Sequence, residues 1–384
     1  MPIPASPLPP RLPELFSVAS AAEAGVTPTR LRAADLSAPR RGVRARGALA
    51  AVRDPVARGG DPLDRAELSP DRAELPLDRY ERALDDELRR IREFAQVMTA
   101  RQFFSHRSAA LLWGAPVPYE PDAPVHASVL RPVRSPRAIG VVGHGLTGAY
   151  CAVTERAGVR LTTPACTWVQ LVDLPIPDLV ALGDFFVRRY REGHGRPDAG
   201  RPPLATIGDL HEAAIAGRRR GGRKLLQALA LVREDSWSPR ESTTRLALLE
   251  AGLPEPELNG DVYDGRGVFL ACIDLLYRRY RVGVEYQGEA HWERYSGDVD
   301  RLDALRADGW EMIEVTKTLA HRPGEVAARV ERALRRRGWP DAPGPWFARQ
   351  ELSPKSRCGD NSWRAKMKMR AGRFGVGATR AARR

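Results

Sequence analysis

The chain contains no run approaching the roughly 18 consecutive apolar residues of a membrane-spanning helix, so a membrane partner is not expected. Its start does not place a basic stretch before an apolar one, so no secretory leader is expected either. Cysteine is scarce. Cys151, Cys166, Cys272 and Cys358 form no CxxC pair and no zinc spacing, and a reduced, cytoplasmic setting follows. Acid is outnumbered: 48 Asp and Glu stand against 61 Lys and Arg, a formal charge of +13 that favours an anionic partner such as DNA. That excess is unevenly spread. The segment from Glu351 to Arg384 holds ten Lys/Arg and two Asp/Glu, and so carries +8 of the total. The preference for Arg and Ala over Lys also matches high-GC, bacterial-type coding, which raises basic content without a binding role.

With 384 residues, 43% of them hydrophobic, two or three domains with ordinary cores are expected. The proline-rich start, 1–15, predicts disorder. Over 16–53, a helix (Phe16 to Ala24), a turn at Gly25 and a Thr27-Pro28 cap opening a second helix with Arg30, Leu31 and Arg32 suggest a helix-turn-helix, and "RRGVRARG" a basic wing. A small helical hairpin without DNA contact is the alternative. Residues 54–79 repeat "DRAEL" and "PLDR" and read as a low-complexity linker. Residues 80–235 read as an α/β module: a helix from Tyr80, strands at "VHASVL" and "AIGVVGHGL", and a Thr163-Pro164 helix start. His106, His126 and His144 are scattered through it, and each reads as a hydrogen-bonded structural histidine. "GRRRGGRK" is a phosphate-backbone contact or a solvated turn. A domain at 236–340 and a basic, disordered tail at 341–384 complete the chain.

The chemistry concentrates between Ile273 and Val315. Val268, Leu270 and Cys272 alternate with Phe269, Ala271 and Ile273, as in a strand buried on both faces. Asp274 interrupts it, although Asp is depleted in strands. After "YRRYR", a second strand from Val282 to Tyr286 is interrupted by Glu285 and closed by Gln287-Gly288. Burying carboxylates is costly unless something pairs with them. A divalent cation would do so, and hard oxygen ligands suit Mg²⁺. The alternative is ion pairing, of Asp274 with Arg278 or Arg281 and of Glu285 with a strand arginine. His291 follows. A helix from Ser296 to Ala307 places Asp298 and Arg301 on one face, Asp308-Gly309 stops it, and Trp310 to Val315 returns as a strand. Upstream, Ser238-Pro239-Arg240-Glu241 has the form of a capping box.

These motifs carry a resemblance. The order "ES", "ID", "VEYQG", "AHW", "DVDR", "AL", "DGW" resembles the pattern E…D…ExDG…H…D…R…L…GW of a family allied to very-short-patch-repair endonucleases, within the PD-(D/E)XK superfamily. It spans Glu241 to Trp339, about a quarter of the chain. The resemblance implies a restriction-endonuclease-like α/β/α domain with a mixed sheet. It implies Mg²⁺ (or Mn²⁺) held by Glu241, Asp274 and Glu285, and DNA phosphodiester hydrolysis by Asp274, Glu285, Gln287, His291 and Arg301. Asp298 would support His291 or Arg301. One position departs: where the superfamily has Lys, and this family often Asp, the chain has the uncharged Gln287. The rival reading is therefore a non-catalytic DNA-binding antitoxin or repressor with a degenerate nuclease domain, and a third is a protein-interaction scaffold. The preceding region resembles an AbiEi-type antitoxin through "SHRSAALLWG", "GVRLTTPACTWVQL" and "DLVALGDF", which implies an α+β fold that includes a winged helix-turn-helix, and a toxin or defence-system partner.

Overall fold

The structure, a computed structural model, describes residues 6–46, 77–194, 196, 198–217, 220–287 and 295–340, with the backbone alone at 77–81, 287, 295–300 and 317. Residues 54–76 of the linker expected at 54–79, the tail at 341–384, and residues 47–53, which begin with the last residue of the expected wing, lie outside the described residues. The protein is mixed α/β, with three sheets among the described residues. Among the described residues, no helix is long and apolar enough to cross a membrane.

The N-terminal sheet has the order β1-β3-β2, with β1 (Leu15–Ser17), β2 (Leu36–Ser37) and β3 (Val43–Arg46). Ser17 caps α1 (Val18–Glu23), its hydroxyl accepting from the Ser20 N–H at 3.0 Å. Two expectations are corrected here. Leu8 and Leu12, inside the stretch expected to be disordered, are buried against Phe16, Ala21, Val26 and Leu31. Each buried leucine contributes about 1.5–3 kcal/mol, and the flanking prolines leave less backbone freedom to lose. The expected second helix is a single 3-10 turn, Arg30–Arg32, too short to lie along a groove. Arg30 bonds both Asp35 oxygens, at 2.8 and 2.7 Å. Two arginines of the expected wing are held to the backbone: Arg44 donates to the Leu31 carbonyl and Arg46 to those of Pro9 and Leu12.

The central module opens with α2 (Leu77–Ala95), three residues before the sequence suggests. Its five-stranded sheet has the order β6-β5-β4-β8-β7, with β4 (Gln102–Phe104), β5 (Val125–Leu130), β6 (Val141–Leu146), β7 (Val153–Arg156) and β8 (Val159–Thr162). Thr163 caps α4 (Pro164–Gln170), which follows α3 (His106–Trp113). Trp168 anchors the core among Phe104, Leu161, Leu179 and Phe186, its indole N–H donating to the Leu179 carbonyl at 2.8 Å. Satisfying that donor makes full burial of a tryptophan favourable. The helices α5 (Ile176–Val187), α6 (Ile207–Ile215) and α7 (Gly222–Leu231) complete this core.

The C-terminal sheet has the order β12-β11-β10-β9, with β9 (Glu257–Tyr263), β10 (Phe269–Tyr277), β11 (Val282–Gln287) and β12 (Glu311–Thr316). Neighbours are antiparallel except β11 and β12, which run parallel and are joined through α9 (Tyr295–Ala307). Gly309, at φ +84°, terminates that connection as Asp308-Gly309 suggests. One apolar cluster joins Val282, Val284, Ile313 and Val315 to Leu248 of α8 (Pro239–Glu250) and to Val330 and Leu334 of α11 (Pro323–Arg336), which follows the short α10 (Lys317–Ala320). A second joins Ile273, Leu276 and Met312 to Leu305 of α9. Gly283 lets these layers close, because a Cβ there would meet Met312 Sδ at 2.6 Å. A buried polar knot ties α8 to the central module: Asp184 on α5 faces Arg245 at 3.5 Å and accepts from Ser242 at 2.7 Å and from the Arg233 N–H at 2.6 Å.

Candidate active site

Three carboxylates converge from one helix start and two adjacent strands. Glu241 is the third residue of α8, where its N–H donates to the capping Ser238 hydroxyl at 3.1 Å. Its side chain does not complete a reciprocal capping box. Instead Oε2 accepts from the Trp237 N–H at 2.9 Å and from Asn259 Nδ2 at 2.6 Å. Glu241 is 6% exposed. Burial, then repulsion from Asp274, raises its pKa well above the usual carboxylate range.

Asp274 and Glu285 share a face of the sheet. The β10–β11 register runs Tyr277↔Val282, Leu276↔Gly283 and Leu275↔Val284, and one further step sets Asp274 opposite Glu285. The ladder itself gives way there, because Asp274 Oδ2 accepts the Tyr286 N–H at 2.9 Å. Burial and the Glu285 charge raise the Asp274 pKa, opposed by that N–H and by Arg301. Glu285, also 6% exposed, is gripped bidentately by Arg301 of α9: Nη1 reaches Oε1 at 2.7 Å and Nη2 reaches Oε2 at 3.1 Å.

The alternative pairing through Arg278 and Arg281 is not what these arginines do. Arg278 bonds Glu257 at 2.6 and 2.9 Å, and Arg281 faces Asp308 at 3.7 Å. Gln287 ends β11 two residues after Glu285, in register with Thr316. Asp298 lies three residues before Arg301 in α9. The side chains of Gln287 and Asp298, and the whole of His291, lie outside the described residues.

Several residues join this site without a cue in the sequence. Asn259 adopts φ +48° in β9, and its Nδ2 bridges Glu241 and the Asp235 carbonyl. Arg196 donates to Asp261, to the Asn259 carbonyl and to Cys272 Sγ, with its guanidinium 5.0 Å from the Trp237 ring centre. Arg240, 6% exposed, lies 5.6 Å from the Tyr286 ring centre, with a buried Nε that meets no acceptor among the described residues. Acid at the centre is thus bordered by guanidinium groups and aromatic rings.

The scattered histidines are corrected. His106, His126 and His144 come together in the central module, with one ligand nitrogen of each within 4.8 Å of the others. Among the described residues they are the set of three or more His, Cys, Asp or Glu that meets this closeness. The carboxylates are a looser group.

No protein-family model matches the chain, and no solved structure matches it. It is similar to uncharacterized proteins of Mycobacterium tuberculosis, from strains CDC 1551 / Oshkosh and ATCC 25618 / H37Rv. Each is 29% identical over 240 residues, which make up 60% of this chain and 80% of the relative.

Proposed function

We propose that the C-terminal domain is a restriction-endonuclease-like module that hydrolyses DNA phosphodiester bonds with Mg²⁺ or Mn²⁺. The observation that carries this reading is the electrostatic conflict among Glu241, Asp274 and Glu285. Burial, then repulsion, raises the pKa of the first two, a state that a bound cation would relieve. The donor set fits a hard cation: it is all oxygen, and one oxygen on each of Glu241 and Asp274 accepts no hydrogen bond among the described residues. When present, the cation supplies Lewis acidity at the scissile phosphate.

The chain's own groups divide the remaining work. Asn259 and the Trp237 N–H hold Glu241 in place, and the Tyr286 N–H does the same for Asp274. Arg301 balances Glu285 in the metal-free protein and turns to clamp a phosphate oxygen once cation and substrate arrive. Asp298 orients His291 or Arg301, His291 receives a proton or meets phosphate, and Gln287 positions the attacking water as a neutral dipole.

A second reading, a non-catalytic DNA-binding antitoxin or repressor, is favoured by one specific observation. Arg301 already neutralises Glu285 as a bidentate partner, a stable arrangement that needs no metal. Measuring DNA binding and DNA cleavage on the same preparations separates the two. The parent and the Gln287→Lys and Gln287→Asp chains would be incubated with duplex and single-stranded DNA and RNA, in Mg²⁺ or Mn²⁺. Cleavage by any of the three supports the nuclease. Tight binding with no cleavage by all three supports the repressor.

A further inference from the structure

We infer that His106, His126 and His144 form a second metal site, selective for a borderline divalent cation of the zinc class. It lies in the central module, apart from the carboxylate cluster, and its ligands come from three elements. His106 is the first residue of α3, and His126 and His144 sit on the neighbouring parallel strands β5 and β6. Ser128 pairs with His144 in that register, and His126 with Val142, so the two histidines share a face, offset by two residues. Their ring nitrogens meet at 3.0 Å, His126 Nδ1 against His144 Nε2. In a tetrahedral zinc site with bonds of about 2.0–2.1 Å, two ring nitrogens lie roughly 3.3 Å apart. The present contact therefore needs to open only slightly to admit a cation.

The third ligand is positioned at a cost. His106 adopts φ +50°, a left-handed conformation uncommon for a residue with a side chain. Its N–H is held by Gln170 Oε1 at 2.9 Å. Its Nδ1 meets the Ser105 hydroxyl at 2.9 Å, and Ser105 in turn accepts from Ser128 at 2.6 Å. Both serines are fully buried. A second polar group on the far nitrogen of a histidine is the usual means of fixing ring orientation and tautomer in a metal site. In the tautomer whose Nδ1–H donates to Ser105, Nε2 keeps its lone pair for a cation.

Charge supports the same assignment. Burial, then the neighbouring His144 and His126, lowers the His106 pKa to about 3, and burial, His144 and Arg107 lower that of His126 to about 4. The rings are neutral at pH 7, as ligands must be. Three imidazoles without a carboxylate suit Zn²⁺, Co²⁺ or Ni²⁺ rather than Mg²⁺. All three histidines are half-buried, so a cation can enter and a fourth position can remain for water. The rings of His106 and His144 now stack at 3.9 Å, 19° from parallel, and loading would rotate them out of this stack.

The test uses the full-length, tag-free chain. Zn²⁺ affinity would be measured by competition with a chromophoric chelator, and Co²⁺ ligation by absorption spectroscopy. One equivalent should bind below micromolar Kd and survive excess Mg²⁺, and the Co²⁺ spectrum should show d–d bands without thiolate charge transfer. His126→Gln and His144→Gln should each weaken binding by at least about tenfold, with far-UV circular dichroism unchanged. Glu285→Gln should leave it intact. His144 lies on an edge strand, which makes its variant the safer one to fold. The inference is overturned if no equivalent binds, or if the histidine variants bind as the parent does. Thiolate charge transfer would overturn it too, by moving the metal to Cys151 and Cys166, whose sulfurs lie 3.5 Å apart.

Discussion

Replacing Asp274 with asparagine should stabilise the metal-free protein, increasingly as pH rises from about 4 to 7. Its carboxyl is raised from the ordinary 3.8 to about 7 by burial and by the charge of Glu285. Between those two values the folded protein holds a proton that the unfolded chain has lost. Stability is therefore full below the unfolded value and falls as pH rises through the folded one. One pKa unit corresponds to about 1.4 kcal/mol, so the ceiling on this loss is about 4 kcal/mol. Local rearrangement around Glu285 in the parent would lower the cost it already bears, leaving a gain for the variant of about 1–2 kcal/mol. Asparagine keeps an oxygen to accept the Tyr286 N–H and adds an NH₂ that Glu285 or Glu241 can accept. In thermal unfolding with EDTA, the Asp274→Asn chain should exceed the parent by about 2–8 °C at pH 8. At pH 5 the difference should fall to roughly a third of that, and near pH 4 it should vanish. Equal destabilisation at both pH values would refute the reasoning, because it would make Asp274 an ordinary satisfied carboxylate.

Mg²⁺ should reverse the parent's pH trend, raising its Tm more at pH 8 than at pH 6, since the ligands must shed protons to bind; a pH-independent rise would place the ion elsewhere. Gln287→Ala should reduce cleavage less than Asp274→Ala or Glu285→Ala, and at least one of Gln287→Asp and Gln287→Lys should raise it, as initial rates on plasmid DNA would report. Asp184→Ala should cost about 2–3 kcal/mol in urea unfolding, because Ser242 and the Arg233 N–H lose their acceptor and the buried Arg245 keeps only Glu255 as a carboxylate partner, whereas the paired change to Asp184→Leu and Arg245→Met should cost less. Deleting Glu351 to Arg384 should flatten the dependence of log K on log salt for DNA binding; an unchanged slope would remove the tail from the interface.

The C-terminal elements were legible because carboxylates stand out in apolar strands. Asp274 and Glu285 each break a run of residues that would otherwise fill a core, and Asp308-Gly309 marks the helix stop by itself. Glu241 was legible through its spacing from Ser238, although its partner proved to be the Trp237 N–H. Asn259, Arg196 and Arg240 were not legible, since their roles depend on how α8 and the loop after α5 pack, which no local period encodes. The histidine cluster escaped for a related reason. Its members are 20 and 18 residues apart, on a helix and two strands, and only the β5–β6 register and the left-handed turn at His106 bring them together. The N-terminus misled in the opposite direction. Proline content reads as disorder, yet Leu8 and Leu12 are spaced to reach one core, and the arginines that suggest DNA contact bond to Asp35 and to backbone carbonyls.

The account stands most directly on a cleavage time course with purified full-length chains. Parent, Asp274→Ala and Glu285→Ala would be compared on supercoiled and linear DNA, in Mn²⁺, in Mg²⁺ and in EDTA. The expected result is strand cleavage by the parent that needs the metal and is lost in both alanine variants. Cleavage by Asp274→Ala at the parent's rate, or by the parent in EDTA, would contradict it.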